Sequence, residues 1–172
     1  EDIFEEYRKS PIGLLLGFHN LGRAFEEFEK PQLLVGMCMD NRKQLKIPNN
    51  FSFIIRSGGG NLLFSEFKVS FAIAIGGVKT IALIAHTQCG MVGLNKRRDA
   101  FIEGLGENVG WSKQMAAEHF DHYAPIFEIE EEKAFVFSEA KRLRLRYPGI
   151  QVAPLLYKVE DNRLYQLRET ES

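Results

Sequence analysis

The chain has 172 residues, of which 45% are hydrophobic and 26% are charged, so it can bury the core of one ordinary domain. That balance excludes a disordered tail and a fibre, and the length excludes a two-domain protein. The 22 Lys and Arg residues against 23 Asp and Glu residues give a net charge of −1. Such a charge argues against broad capture of nucleic acid or of an anionic membrane, so we expect neither as a partner.

The sequence also bears on the compartment of the protein. The longest nearly uncharged stretch, from Val69 to Ile84, is interrupted by Lys79 and by two glycines, so no transmembrane helix is expected. Two cysteines are too few for a disulfide scaffold, and this favours a reducing compartment. We therefore expect a cytoplasmic protein.

The first predicted element is an N-terminal helical arm within residues 1–30. Apolar residues recur at helical spacing from Leu14 to Phe28, and Pro11 stands near the start of this pattern. Short apolar runs without polar alternation follow, and they are typical of strands covered on both faces. These predicted strands lie at 32–37, 51–55 and 80–85.

Helical patterns separate and follow these strands. The predicted helices lie at 61–75, 107–120 and 130–147, and a closing strand pair is predicted at 150–159 and 163–167. Strands that alternate with helices predict an α/β domain with a mostly parallel central sheet flanked by helices. We expect a single domain over residues 1–172.

Chemistry-bearing residues follow two of the predicted strands. In parallel sheets, sites lie beyond the carboxyl ends of the strands. Cys38, Asp40 and Arg42 follow the first predicted strand, and His86 and Cys89 follow the third. Two thiolates and one imidazole are a soft ligand set that selects zinc, and three protein ligands leave a fourth position for water or substrate. The pattern therefore favours a catalytic zinc site on Cys38, His86 and Cys89.

Two other interpretations of the cysteines are open. A single cysteine at the end of a core strand is more often a packing residue. A Cys38–Cys89 disulfide or redox pair is also conceivable, although neither cysteine lies in a Cys-x-x-Cys motif. Neither interpretation explains why His86, Asp40 and Arg42 gather at the same strand ends, so a metal site is preferred.

A glycine-rich loop follows the second predicted strand, beginning after Arg56. Such a loop ahead of a helix could hold an anion through its N–H groups, or it could allow a close approach of the backbone beside the zinc. It has neither the lysine of a phosphate-binding loop nor the full dinucleotide fingerprint. The residues expected to line a substrate pocket are Ser57, Gly58, Gly59 and Gly90.

Taken in order, these motifs resemble those of the β-class carbonic anhydrases. The resemblance covers about residues 33–93 and depends on Cys38-x-Asp40-x-Arg42, Arg56-x-x-Gly and His86-x-x-Cys89-Gly90. It implies zinc on Cys38, His86 and Cys89, with Asp40 and Arg42 as a catalytic pair. One departure is the loop after Arg56, which reads Ser-Gly-Gly-Gly-Asn where family members often have Asn-Ala-Gly-Asn.

The resemblance further implies an activity and an assembly. The activity is the reversible hydration of carbon dioxide to bicarbonate by hydroxide held on the zinc, that of a carbonate dehydratase, a lyase. The assembly is a homodimer or a higher multiple, in which the N-terminal helices contact the neighbouring subunit. Alternatives are hydrolysis of carbonyl sulfide or carbon disulfide on the same zinc, and a non-catalytic, zinc-stabilised oligomer. The domain then divides into an arm 1–30, a zinc-site core 31–95, a helical region 96–147 and closing strands 148–172.

Overall fold

A computed structural model describes residues 3–169 as a five-stranded sheet with helices on both faces. In chain order the elements are α1 Pro11–Leu21, β1 Leu33–Cys38, β2 Ser52–Ser57, α2 Glu66–Ala74, β3 Thr80–His86, α3 Arg98–Val109, α4 Lys113–Phe127, α5 Glu132–Arg146, β4 Gln151–Lys158 and β5 Arg163–Gln166. Within this described range, none of the helices has the length and apolar character needed to cross a membrane.

The sheet has the strand order β2-β1-β3-β4-β5. Its pairs are parallel except for β5, which runs antiparallel to β4. Every residue of the central strands β1 and β3 is buried, as their unbroken apolar sequences predict. The α/β class with a mostly parallel sheet flanked by helices is therefore confirmed.

Two apolar clusters explain why these strands have no polar face. On one side of the sheet, α1 contributes Ile12, Leu15 and Phe18 to a buried cluster with the strands. On the other side, α2 and α5 contribute residues that include Val69 and Leu143. The helices thus cover both faces of the sheet, and its carboxyl edge is left open to the loops.

Helix α1 is shorter than the sequence predicts. Ser10 caps its first turn, and Gly22, in the left-handed conformation at φ 67°, ends it. The helix was expected to reach Phe28, but Phe25 and Phe28 lie on irregular chain and meet the ring of Phe18 edge-on. The N-terminal helix is therefore present, and it packs on the core of its own chain.

The segment before α5 contains two helices where the pattern predicts one at 107–120. Gly110, at φ 72°, ends α3, and the side chain of Ser112 caps α4. The two helices pack against each other through the rings of Phe101 and Phe120, whose centroids are 5.1 Å apart. Helix α2 also begins later than predicted, because a 3-10 turn precedes it.

Candidate metal centre

The parallel pairing of β1 with β3 brings the two predicted ligand segments to one edge of the sheet. Cys38 is the last residue of β1, and His86 is the last residue of β3. The ligand atoms of Cys38, His86 and Cys89 all lie within 4.8 Å of one another, and all three residues are buried. These three side chains could therefore hold a metal ion.

The hydrogen bonds of His86 show which ring nitrogen is available to a metal. Its Nδ1 lies 2.8 Å from the carbonyl oxygen of Thr87, and because a carbonyl only accepts, Nδ1 carries the proton. The Nε2 atom keeps its lone pair and is buried without a hydrogen-bond partner. Buried polar atoms nearly always have partners, so this orphaned nitrogen beside two thiols fits a metal ligand.

The two thiols share a hydrogen bond that makes them unequal. The pKa of Cys38 lies well below its ordinary value, chiefly because Cys89 donates to its sulfur, and the N–H groups of Asp40 and Gly59 add to this. The pKa of Cys89 is raised, because its proton is held in that bond and because the thiol is buried. The surroundings of Cys38 thus favour its thiolate, and the thiolate is the form that binds metal.

The glycine loop lies directly beneath Cys38. Gly58–Gly60 forms a tight turn, and the N–H of Gly59 lies 3.3 Å from the Cys38 sulfur. Gly59 has φ 64°, and a Cβ built on it would lie 2.4 Å from Cδ1 of Ile129. The loop therefore brings its backbone close to the site, which is the second of the two roles considered for it.

Asp40 and Arg42 form the pair that the motif implies. The guanidinium donates from Nη2 to Oδ2 at 2.7 Å and from Nε to both carboxylate oxygens, and the Arg42 N–H donates to Oδ1 at 2.9 Å. The Arg42 side chain and its backbone N–H hold the pKa of Asp40 well below its usual range. Asp40 is therefore ionised at neutral pH.

Two polar residues that the sequence did not single out complete this network. Arg42 donates to the side-chain and main-chain oxygens of Gln88, at 3.0 and 2.8 Å. The Gln88 amide donates in turn to Glu160, at 2.9 Å. Gln88 lies inside the His86-x-x-Cys89 motif, whereas Glu160 lies in the turn between β4 and β5 and has no signal in the sequence.

Two cationic side chains, Lys43 and Arg56, lie near the end of β1. The sequence did not single out Lys43. Lys43 is fully buried, and its Nζ donates to the carbonyl oxygen of Asp40 at 2.8 Å. Arg56 donates to the carbonyl oxygens of Cys38 and Lys43 at 3.1 and 3.0 Å. Burial lowers the pKa of Lys43, while Cys38, Asp40 and Cys89 oppose that shift. These cations fix the strand-end carbonyls and offset part of the thiolate charge.

An apolar cavity of about 400 Å³ lies beside the three ligands. Its lining residues are Met39, Gly58, Met91, Leu94, Phe101, His119, Phe120, Tyr123, Ala124 and Phe127. Met91 also packs against the cluster of Cys38, Cys89 and Ile129, so it contacts both the cavity and the surroundings of the thiols. Of the four predicted pocket residues, Gly58 lines this cavity, whereas Gly90 borders open space, with no atom within 4 Å of a Cβ built on it.

No protein-family model and no curated protein matches the sequence. Solved structures do match, at probability 1.00. An apo form of carbon disulfide hydrolase has a TM-score of 0.60 at 21% identity, over 82% of this chain and 80% of that one.

Two β-carbonic anhydrase structures also match. Isoform I from the protozoan Trichomonas vaginalis has a TM-score of 0.66 at 16% identity, over 85% of this chain and 88% of that one. One of the tetrameric β-carbonic anhydrases of the ascomycete Sordaria macrospora has a TM-score of 0.54 at 17% identity, over 84% of each chain. Because these identities are low, the likeness shows the fold: the chain is folded as a β-carbonic anhydrase.

Proposed function

We propose that the protein is a zinc enzyme that catalyses the reversible hydration of carbon dioxide to bicarbonate. The observation that carries this proposal is the buried, unpartnered Nε2 of His86 beside the sulfurs of Cys38 and Cys89. An imidazole lone pair and two thiols at the strand ends of this fold form a three-ligand set that suits zinc with one position left over. The ionised Asp40 lies two residues after Cys38 in the chain.

The chain would hold the zinc on the two sulfurs and on Nε2 of His86. When bound, zinc supplies a Lewis acid that ionises water near neutral pH. The Thr87 carbonyl fixes the imidazole tautomer, and the N–H of Gly59 supports the Cys38 thiolate. The residues around the site thus prepare the ligands before the metal arrives.

Asp40 has a role that follows from its low pKa. The neighbouring Arg42 holds the pKa of Asp40 well below its usual range and so favours the charged form of the carboxylate, which only accepts hydrogen bonds. The Asp40 side chain is 22% exposed, so we propose that it accepts a hydrogen bond from the attacking water and orients it. We therefore assign Asp40 to orientation and Arg42 to holding Asp40 in place.

One observation favours a second candidate, the hydrolysis of carbonyl sulfide or carbon disulfide at the same site. The cavity of about 400 Å³ contains two methionine sulfurs and several aromatic rings, a polarizable lining that suits a sulfur-containing heterocumulene. The same apolar lining also admits carbon dioxide, which has no net dipole. Activity must therefore be measured with each substrate in order to distinguish the two candidate functions.

The decisive experiment is stopped-flow carbon dioxide hydration on protein of known zinc content, with carbonyl sulfide and carbon disulfide assayed in parallel. We expect hydration by the wild type and a loss of kcat/KM of about 100-fold in Asp40→Asn at equal zinc content, the size of effect that lost positioning has. Asp161→Asn, an exposed carboxylate in the β4–β5 turn, is the matched control and should retain the rate. A zinc-loaded wild type that hydrates no carbon dioxide would contradict the proposal. Turnover of the sulfur compounds alone would then support the second candidate, and turnover of none would support a non-catalytic oligomer.

We also propose a homodimer or a higher multiple, with a contact other than α1. Most apolar side chains of α1, Leu21 excepted, pack against the core of its own chain, whereas an apolar row on and before α2 is exposed. The row comprises Phe64 at 63%, Phe67 at 84%, Phe71 at 50% and Ile75 at 74% exposure. It lies next to β2, the edge strand of the described sheet, and such surfaces favour association.

Light scattering at micromolar concentration tests this assembly. We expect a dimer or a multiple of it for the wild type and a smaller species for Phe67→Ser combined with Ile75→Ser. The matched control is Leu145→Ser, since Leu145 is an equally exposed apolar residue on α5. A monomeric wild type would contradict the proposal.

For location, we propose the cytoplasm, because both cysteines are free and a thiolate site needs a reducing compartment. Fractionation of source cells, with the zinc content measured in each fraction, tests this. Recovery of the protein outside the cytoplasmic fraction would contradict it.

A further inference from the structure

The Asp40–Arg42 pair is more exposed than its tight geometry suggests. The Arg42 side chain is 48% exposed and that of Asp40 is 22% exposed. Exposed ion pairs of this kind are ordinarily weak and are screened by solvent. Here, however, Arg42 also donates to both oxygens of Gln88, at 3.0 and 2.8 Å. Gln88 therefore occupies the side of the guanidinium that Asp40 leaves free.

Gln88 reaches Arg42 twice because its backbone is unusual. Its φ is 58°, in the left-handed region that residues other than glycine rarely adopt. This conformation directs the main-chain oxygen toward the same guanidinium that the side-chain oxygen contacts. The left-handed conformation of Gln88 therefore allows both of its oxygens to accept from Arg42.

Glu160 determines which end of the Gln88 amide faces Arg42. The Gln88 Nε2 donates to Oε1 of Glu160 at 2.9 Å, so its Oε1 is left to face the guanidinium. The other oxygen of Glu160 accepts from the Thr87 hydroxyl at 2.7 Å, and that hydroxyl accepts from the N–H of Val159 at 3.0 Å. One carboxylate thus contacts both residues between His86 and Cys89.

We propose that Gln88 and Glu160 are positioning residues for the Asp40–Arg42 pair. Glu160 orients the Gln88 amide, Gln88 holds the Arg42 guanidinium, and Arg42 keeps the Asp40 carboxylate aimed beside the metal ligands. The effect on rate rests on the proposed function, whereas the ordering of Arg42 can be measured without any turnover.

An exchange of the amide and the carboxylate tests the proposal. Gln88→Glu alone places two carboxylates against each other, and Glu160→Leu alone removes the acceptor of the Gln88 amide, so each single variant breaks the bond between the two positions. The double variant Gln88→Glu with Glu160→Gln restores it, because the amide at 160 donates to the carboxylate at 88, whose second oxygen accepts from Arg42. Asp161→Asn, in the same turn but without contact to Gln88, is the matched control.

Two measurements are made on the zinc-loaded protein. The first is the hydrogen exchange of the Arg42 Nε–H by nuclear magnetic resonance, with the signal assigned by its loss in Arg42→Lys. The second is kcat/KM for carbon dioxide hydration at equal zinc content. We expect faster exchange and a loss of rate of about tenfold in each single variant, and recovery of most of both in the double variant.

Other outcomes overturn the proposal. Single variants that match the wild type in exchange and rate would show that Gln88 and Glu160 position nothing. If the losses of order and rate in the single variants persisted in the double variant, the proposed chain of hydrogen bonds from Glu160 through Gln88 to Arg42 would be refuted. A wild type without hydration activity would refute the proposed function instead, and the Arg42 exchange would still decide the positioning role, which separates the two failures.

Discussion

The substitution Gly59→Ala tests the close packing beneath Cys38. Gly59 has φ 64°, and a left-handed alanine costs about 1–2 kcal/mol. Its Cβ would lie 2.4 Å from Cδ1 of Ile129, which is only 2% exposed and is held by backbone hydrogen bonds to Met91 and Gly93. Overpacking of this kind adds about 1–3 kcal/mol. We therefore expect a loss of about 2–5 kcal/mol in the free energy of unfolding.

Urea denaturation of the zinc-free protein measures this loss of stability. Two further variants separate its backbone part from its overpacking part. Gly77→Ala at φ 70° is the matched control, because no atom lies within 4 Å of the added Cβ and only the backbone cost of about 1–2 kcal/mol applies. Ile129→Val in the Gly59→Ala background removes Cδ1 and leaves Cγ1, which is 3.5 Å from the added Cβ. That second change should relieve about 1–3 kcal/mol of overpacking at a cost of about 0.5–1.5 kcal/mol for the lost methyl group, so the double variant should be more stable than Gly59→Ala by up to about 2.5 kcal/mol.

Two results would refute this reasoning. One is a Gly59→Ala variant that loses no more stability than Gly77→Ala, since the contact with Ile129 would then cost nothing. The other is a double variant less stable than Gly59→Ala alone, since the removed methyl would then have been a favourable contact.

Three other predictions concern the metal, the pH and the cavity. Elemental analysis should find one zinc per chain, and Cys89→Ser should lose it; chelation should make both thiols of the wild type react faster. Burial lowers the pKa of His19 from 6.5, and its ring accepts from the N–H of Lys46 and donates to the carbonyl of Asn162, so the fold favours the neutral form. This contribution is present above pH 6.5 and is lost as the pH falls toward the lower folded pKa. In urea denaturation of zinc-free protein, the stability advantage of the wild type over His19→Gln should therefore shrink from about pH 7.5 to about pH 5, and a constant difference would contradict it. Ala124→Leu should fill part of the cavity and lower kcat/KM at an unchanged zinc content, and an unchanged rate would exclude substrate from that cavity.

The parts of the fold that could be predicted are those where burial alone determines which residue types occur. The runs that became β1 and β3 are apolar throughout because helices cover both faces of the sheet. The end of α1 could not be read from spacing, because Phe25 and Phe28 contact Phe18 whether or not the chain between them is helical. The left-handed Gly22 was the better signal for the end of that helix.

The site divides in the same way. The three ligands and the Asp40–Arg42 pair could be predicted because the ends of parallel strands converge. Glu160 could not, since its contact with Gln88 depends on how the β4–β5 turn lies over the end of β3. The burial of Lys43 could not be predicted either, because lysines ordinarily lie on the surface. Its burial depends on the hydrogen bond from its Nζ to the carbonyl oxygen of Asp40.

The position of Cys38 on β1 and of His86 on β3 has a consequence for how a metal would be acquired at the proposed site. Between those strands the chain must form β2 at the far edge of the sheet and return through α2, and such non-local parallel pairing is slow to form. The sulfur of Cys38 therefore meets the imidazole of His86 only when this crossover is complete. In small zinc-dependent domains the metal drives the folding, whereas a metal bound at Cys38, His86 and Cys89 would be captured by a chain that has already paired β1 with β3. The rate of metal uptake during refolding should thus follow the completion of the β1–β3 pair.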